Sequence, residues 1–96
     1  MQLPKIVDPC MCTLRHLTIR HAETIMAQEQ VRSCNGFGLL ASVMRITPRH
    51  WGVTKAVLGV VRNFATNQLN SEYMRQFEMI SNLMTILYEA FNIIQQ

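Results

Sequence analysis

Apolar residues recur three and four positions apart through most of the chain, and no stretch alternates apolar with polar residues at a period of two. The first spacing paints one face of a helix and the second would mark a strand, so the pattern predicts an all-α fold. Asp8-Pro9 reads as a helix start, because the carboxylate can accept orphan N–H bonds and proline is tolerated in a first turn. The helix it opens spans about 8–20. A second, about 22–33, carries Ile25, Met26 and Val31 and stops at Asn35-Gly36, a pair comfortable with positive φ. A third, about 37–46, ends before Thr47-Pro48, since the residue preceding a proline disfavours helix. A fourth covers about 50–66, and a polar link over 67–71 leads to a short helix at 72–79 and a longer one at 81–94. On the last, Leu83, Ile86, Leu87, Ala90, Phe91 and Ile94 are expected to face inward. Six helices fit the chain.

The helix over 50–66 is apolar around nearly its whole circumference, through Val53, Ala56, Val57, Leu58, Val60, Val61, Phe64 and Ala65. Neighbours must therefore pack on several of its sides. At about 100° per residue, Lys55, Gly59, Arg62, Asn63 and Thr66 fall on one narrow stripe. A helix walled in everywhere except along a polar seam is a helix that lines a groove, and this seam is the candidate binding surface.

The chain also repeats itself. Residues 12–18 lie over 59–65 at an offset of 47, which sets Arg15 on Arg62 and His16 on Asn63. Residues 26–28 lie over 74–76 at an offset of 48, and 38–44 over 81–87 at an offset of 43. A helical period of roughly 40 to 47 residues points to stacked repeats in a solenoid rather than a closed bundle. The parts are a third helix of one repeat at 8–20, a full repeat at about 22–67, and the first two helices of the next at 70–95, all within one segment over 1–96. Such arrays need about three repeats to stand alone, so a piece of a longer array, monomeric within it, is expected.

Composition narrows the function. With 49% hydrophobic residues in 96 positions the chain suffices for one small domain. Nine basic against six acidic residues give a charge of +3, which favours acidic partners without the density of a dedicated nucleic-acid binder. Lys5 and Asp8 interrupt the N-terminus and no run approaches the ~18 apolar residues of a membrane span, so a cytosolic or nuclear setting without membrane insertion is expected. Cys10, Cys12 and Cys34 form an odd, uneven set that reads as reduced thiols. Cys12 and His16 share a helix face, but a structural zinc needs more ligands than these, so neither a metal nor a cofactor is expected. The carboxylates form no catalytic motif and no phosphate-cradling glycine loop is present, so the chain is not read as an enzyme.

The residues that carry a resemblance are Leu14-Arg15-His16-Leu17-Thr18-Ile19-Arg20-His21, Met26-Ala27-Gln28, Val31-Arg32, Pro48, His50-Trp51, Lys55-Ala56 and Val61-Arg62-Asn63. Together they resemble the late armadillo repeats of the β-catenin family, from about Asp8 to Leu87. The resemblance implies a right-handed superhelix of three-helix repeats whose third helices line a long positive groove. That groove takes extended acidic segments of cadherin tails and of T-cell-factor-type transcription factors, in cell adhesion and in Wnt signalling as a transcription coactivator. It implies a protein found in cytoplasm, nucleus and cell junctions. Its groove positions fall on His16, Arg20 and Asn63. One departure is visible: the family usually has a glycine before the second helix of a repeat and a proline soon after, where this chain has Glu78 and Ser81. A different turn is expected there.

An extended peptide has unpaired backbone N–H and C=O groups, which Asn63 and an uncharged imidazole at His16 could pair with along its length. Arg20 and Lys55 would meet carboxylates, and Arg62 either joins them or makes a contact within its own repeat. Arg32 reads as a surface charge, Trp51 as a packing anchor, and most methionines as core filler. Two other readings stay open: a helical nucleic-acid-binding module, for which the scattered arginines speak, and a purely structural stretch whose third helices touch only neighbouring repeats.

Overall fold

The computed structural model describes residues 3–96; residues 1 and 2 of the expected 1–96 segment lie outside the described residues. Six α-helices follow in order: α1 Leu3–Leu17, α2 Thr24–Ser33, α3 Gly36–Met44, α4 Trp51–Ala65, then a 3-10 turn Gln68–Asn70, α5 Ser71–Gln76 and α6 Met79–Ile94. The described residues include no strand.

Two ends of α1 differ from expectation. Pro9 does not open the helix but sits inside it, with the chain already helical from Leu3. At the other end α1 stops at Leu17 instead of running to Arg20. The hydroxyl of Thr18 donates back to the Leu14 carbonyl at 2.6 Å, while the Thr18 carbonyl accepts from Gln28 Nε2 at 2.8 Å. With that carbonyl engaged by another helix, the next turn has lost an acceptor. The chain then reverses through Arg20, at φ 52°. Thr24 Oγ1 accepts from the His21 N–H, and His21 Nδ1 from the Glu23 N–H, which together shape the entry to α2. At the head of α4, His50 acts as the cap, its Nδ1 accepting from the Val53 N–H at 3.1 Å.

Between α2 and α3 the chain passes through Cys34 (φ −97°, ψ 18°) and Asn35 (φ 58°, ψ 33°). Between α5 and α6 it passes through Phe77 (φ −97°, ψ 16°) and Glu78 (φ 56°, ψ 41°). The expectation of a different turn at Glu78 is thus corrected: the same left-handed residue is used, with a glutamate in it.

The helices form a stack measuring 42 × 29 × 21 Å, in which α1 and α4 lie against each other and α3 packs on both α4 and α6. Phe64, Val57, Val60 and Met44 are sealed at its centre, with Phe37 packed on Phe64 at a ring separation of 5.0 Å. Met11, Met44 and Met79 are core filler as read, whereas Met26 and Met84 are exposed. α4 is buried on most sides, as its composition demanded. The inward face expected for α6 is only partly covered: Ile86 is buried and Leu83 and Ala90 half-buried, but Leu87, Phe91 and Ile94 are exposed.

Buried polar groups tie the repeats together. Gln28 donates to the Thr18 carbonyl and its Oε1 accepts from Asn67 Nδ2 at 2.8 Å and Asn70 Nδ2 at 3.1 Å. Asn70 also donates to the Phe64 carbonyl. Arg32, read as a surface charge, is half-buried and donates to Asn70 Oδ1, which corrects that reading. A second tie is the pair of Arg49 and Glu89, with Nε–Oε2 and Nη2–Oε1 distances of 2.6 and 3.1 Å, while Arg49 Nη1 holds the Met44 carbonyl. Trp51 is exposed rather than a buried anchor, and the Arg49 guanidinium lies 5.7 Å from its ring centroid.

Candidate functional site

The C-terminal turns of α1 and α4 end side by side, and the reversal after α1 folds back beside them. Helix C-termini carry a partial negative charge that favours cations in the last turn; here Arg15 and His16 occupy that turn of α1 and Arg62 that of α4. The left-handed conformation at Arg20 lies within the same reversal. The result is a cleft of about 420 Å³ lined by Arg15, His16, Ile19, Arg20, His21, Arg62 and Asn63. Three guanidinium groups line it and no carboxylate does, so it presents a positive potential to an approaching ligand.

Four of the five residues expected at a binding surface therefore meet: His16, Arg20, Arg62 and Asn63. The fifth, Lys55, does not. It is exposed on α4 two turns before Asn63 and borders a different groove, between α4 and α6. The two regions share one face of α4, but Arg15 crosses between them: a Cβ added at Gly59 would lie 2.6 Å from Arg15 Cδ. The seam is not a continuous open strip, because an arginine from α1 lies across it where α4 has no side chain.

Asn63 also departs from expectation. It is 0% exposed, and its Nδ2 donates to the Arg15 carbonyl at 2.8 Å and to Thr18 Oγ1 at 3.1 Å. The amide hydrogens expected to meet a ligand instead close the C-terminal turn of α1 onto α4. Asn63 Oδ1 is buried as well and has no hydrogen-bond partner. His16, Arg20 and Arg62 are all exposed.

Arg15, Ile19 and His21 line the cleft without having been singled out. The signal that could have found them is spacing: Arg15 and Ile19 are four apart, one turn of the same face, next to the flagged pair His16 and Arg20. Nothing comparable marked Gln28 on its helix, or Asn67 and Asn70 in the link, as buried partners, since polar residues in either place read as solvated. Among the described residues no group of three or more His, Cys, Asp or Glu could hold a metal ion, and the three cysteines are free. No described helix is long and apolar enough to cross a membrane.

Against known proteins, the chain is 38% identical over 87 residues, 91% of its length, to the armadillo segment polarity protein of Musca domestica. It is 38% identical over 85 residues to catenin beta of Urechis caupo, and 35% identical over 85 residues to junction plakoglobin of Sus scrofa, each match covering 88% of the chain. The chain spans about a tenth of the length of these relatives: 11%, 10% and 11% respectively. No family model matches it.

Proposed function

This chain belongs to the β-catenin/armadillo family, and from that premise we propose that the arginine cleft between α1 and α4 holds an extended acidic segment of a partner protein. The observation that carries the reading is the gathering of Arg15, Arg20 and Arg62, with His16, around one cleft that has no acidic lining residue. Guanidinium groups pair with carboxylates in a planar, bidentate way, so Arg20 and Arg62, both exposed, supply affinity. His16, exposed in the cleft, supplies hydrogen bonds to peptide backbone, while the buried Asn63 braces the cleft wall through the Arg15 carbonyl. The partners proposed are cadherin tails and T-cell-factor-type transcription factors. The role is that of a non-catalytic scaffold segment in adhesion and Wnt signalling, at junctions, in cytoplasm and in the nucleus.

A nucleic-acid module is the weaker reading. Of the scattered arginines that suggested it, Arg32 is engaged by Asn70 and Arg49 by Glu89 and Met44. These side chains are occupied within the fold, which leaves too few on one surface to track a phosphate backbone.

Fluorescence anisotropy with an extended peptide bearing carboxylates every two or three residues tests the proposal. Arg20→Ala and Arg62→Ala should each weaken binding by about 1 to 3 kcal/mol, roughly five- to 150-fold, and affinity should fall with added salt. Binding indifferent to both substitutions and to salt, or no binding by the folded protein, rejects it.

A further inference from the structure

The chain contains Asn35, Asn63, Asn67, Asn70, Asn82 and Asn92. The side-chain amide of an asparagine reacts with the backbone nitrogen of the next residue when that residue has no side chain to shield the nitrogen and the amide itself is free to turn. Only Asn35 is followed by glycine. By sequence alone Asn70-Ser71 would come next, because serine is small, but the fold closes it: Asn70 is 0% exposed and its Nδ2 donates to Gln28 Oε1 and the Phe64 carbonyl. The Nδ2 atoms of Asn63 and Asn67 are likewise engaged, and Asn82 and Asn92 precede the bulky Leu83 and Ile93.

Asn35 has the opposite surroundings. It is exposed in the turn between α2 and α3 and makes no side-chain cap bond to the first amides of α3. Its amide lies over Gly38, where a Cβ would stand 2.7 Å from Asn35 Oδ1 and 3.1 Å from Cγ, so the absence of a side chain there leaves the amide room. Reaching the nitrogen of Gly36 requires the peptide between them to rotate from the present ψ of 33°. Glycine on the far side of that peptide accommodates such a rotation at the least steric cost.

We propose that Asn35 is a site of self-modification, converted by water to aspartate and isoaspartate through a cyclic imide with Gly36. The Gly36 nitrogen gives up its proton to hydroxide and attacks Asn35 Cγ; the bond from Cγ to Nδ2 breaks and ammonia leaves. Water then opens the ring. Addition at Cγ returns the ordinary main chain with aspartate at 35, while addition at the main-chain carbonyl leaves the chain running through Cγ as isoaspartate. No electrons are transferred. The two products differ in what they do to the fold. Aspartate, like asparagine, tolerates the left-handed conformation, and its charge stands at the start of α3, whose first turn has no acidic residue. Isoaspartate inserts a methylene between α2 and α3, where Gly36 fits so closely that a Cβ would lie 2.6 Å from the Val31 carbonyl oxygen. Phe37, 2% exposed and packed on Phe64 and Tyr73, is fixed next to it, so isoaspartate loosens the middle repeat. The site is separate from the arginine cleft and independent of what that cleft holds.

Ageing the folded chain in mildly alkaline, reducing buffer provides the test, with trypsin digestion and mass spectrometry at intervals. Cleavage after Arg32 and Arg45 releases residues 33–45, in which Asn35 is the only side-chain amide. The mass gain of amide hydrolysis should appear in that peptide first, at a rate within about tenfold of the same peptide made synthetically, since exposed turns open at little cost. Isoaspartyl methyltransferase should label the product, Asn35→Gly should gain neither mass nor label in 33–45, and Asn70 should keep its amide. Of the aged fractions separated by charge, the one with aspartate should melt as Asn35→Asp does and the one with isoaspartate below it. A folded chain unchanged at 33–45 after the synthetic peptide has converted, or a gain that appears first at Asn70, overturns the site; an isoaspartate fraction that melts with the wild type overturns its effect on the repeat.

Discussion

Glu78 repeats the backbone conformation of Asn35 forty-three positions later, φ 56° and ψ 41° against φ 58° and ψ 33°. Asparagine visits the left-handed region readily, but glutamate has no local side-chain bond to offset the crowding of its Cβ against the following carbonyl. That crowding costs about 1 to 2 kcal/mol, of which the greater unfolded-state freedom of glycine gives back part. Glu78→Gly should therefore stabilise the fold by about 0.5 to 1 kcal/mol in urea titration. Asn35→Gly should change it by less.

Arg20 has the same left-handed strain, φ 52°, inside the arginine cleft. Strain at a binding site is expected to set stability against function. Arg20→Gly should raise the melting temperature by a few degrees, since ~1 kcal/mol shifts a domain of this size by about 4 to 8 °C, while weakening the acidic peptide as much as Arg20→Ala does. Should both variants melt below the wild type with affinity intact, Arg20 would be a structural residue.

The Arg49–Glu89 pair gives the fold a pH dependence. Hydrogen bonds from Arg49 hold the Glu89 carboxyl below its ordinary value of 4.5, helped by the arginine charge and opposed by partial loss of hydration. A depressed carboxyl means the unfolded chain binds the proton more readily, so the stabilisation is complete above pH 4.5 and is lost as pH falls through the lower folded value. Glu72, also lowered, chiefly by its hydrogen bond from Arg75, acts in the same direction from the surface. Glu89→Gln should lower the melting temperature at pH 7 and flatten its decline below pH 4.5. An unchanged acid limb would show that the pair contributes nothing to folding.

Helix number and the burial of α4 on most sides were legible in the sequence because each rests on periodicity, which burial enforces at every turn. The offset that sets His16 on Asn63 located two chain segments whose ends do meet in the cleft. Side-chain destination was not legible in the same way. Asn63 sits on a polar stripe and would be open on an isolated helix, yet the turn that ends α1 at Leu17 leaves the Arg15 carbonyl and the Thr18 hydroxyl within its reach. Lys55 shares that stripe, but Arg15 crosses at Gly59 and separates it from the rest. Both outcomes depend on how a neighbouring helix stops, which a pattern along one helix does not encode.

Gln28 decides how the first repeat is bound to the second. It is 3% exposed and satisfies three groups at once: the Thr18 carbonyl through Nε2, and the amides of Asn67 and Asn70 through Oε1. Thr18 is the end of α1, while Asn67 and Asn70 lie in the link after α4, so one side chain fastens both helix ends. Gln28→Ala would leave these partners buried without a hydrogen bond and a cavity beside them. Each unsatisfied buried group costs about 1 to 3 kcal/mol, and water entering the cavity can recover some of it. The expected loss is roughly 2 to 4 kcal/mol by chemical denaturation, the largest of the single substitutions considered, with faster amide exchange at residues 14–20 and 66–71 than in α6. Gln28→Glu keeps the acceptors for Asn67 and Asn70 but faces the Thr18 carbonyl with no donor, so it should be destabilising as well. If Gln28→Ala cost less than the exposed Thr13→Ala, the buried amide would not be what joins the repeats.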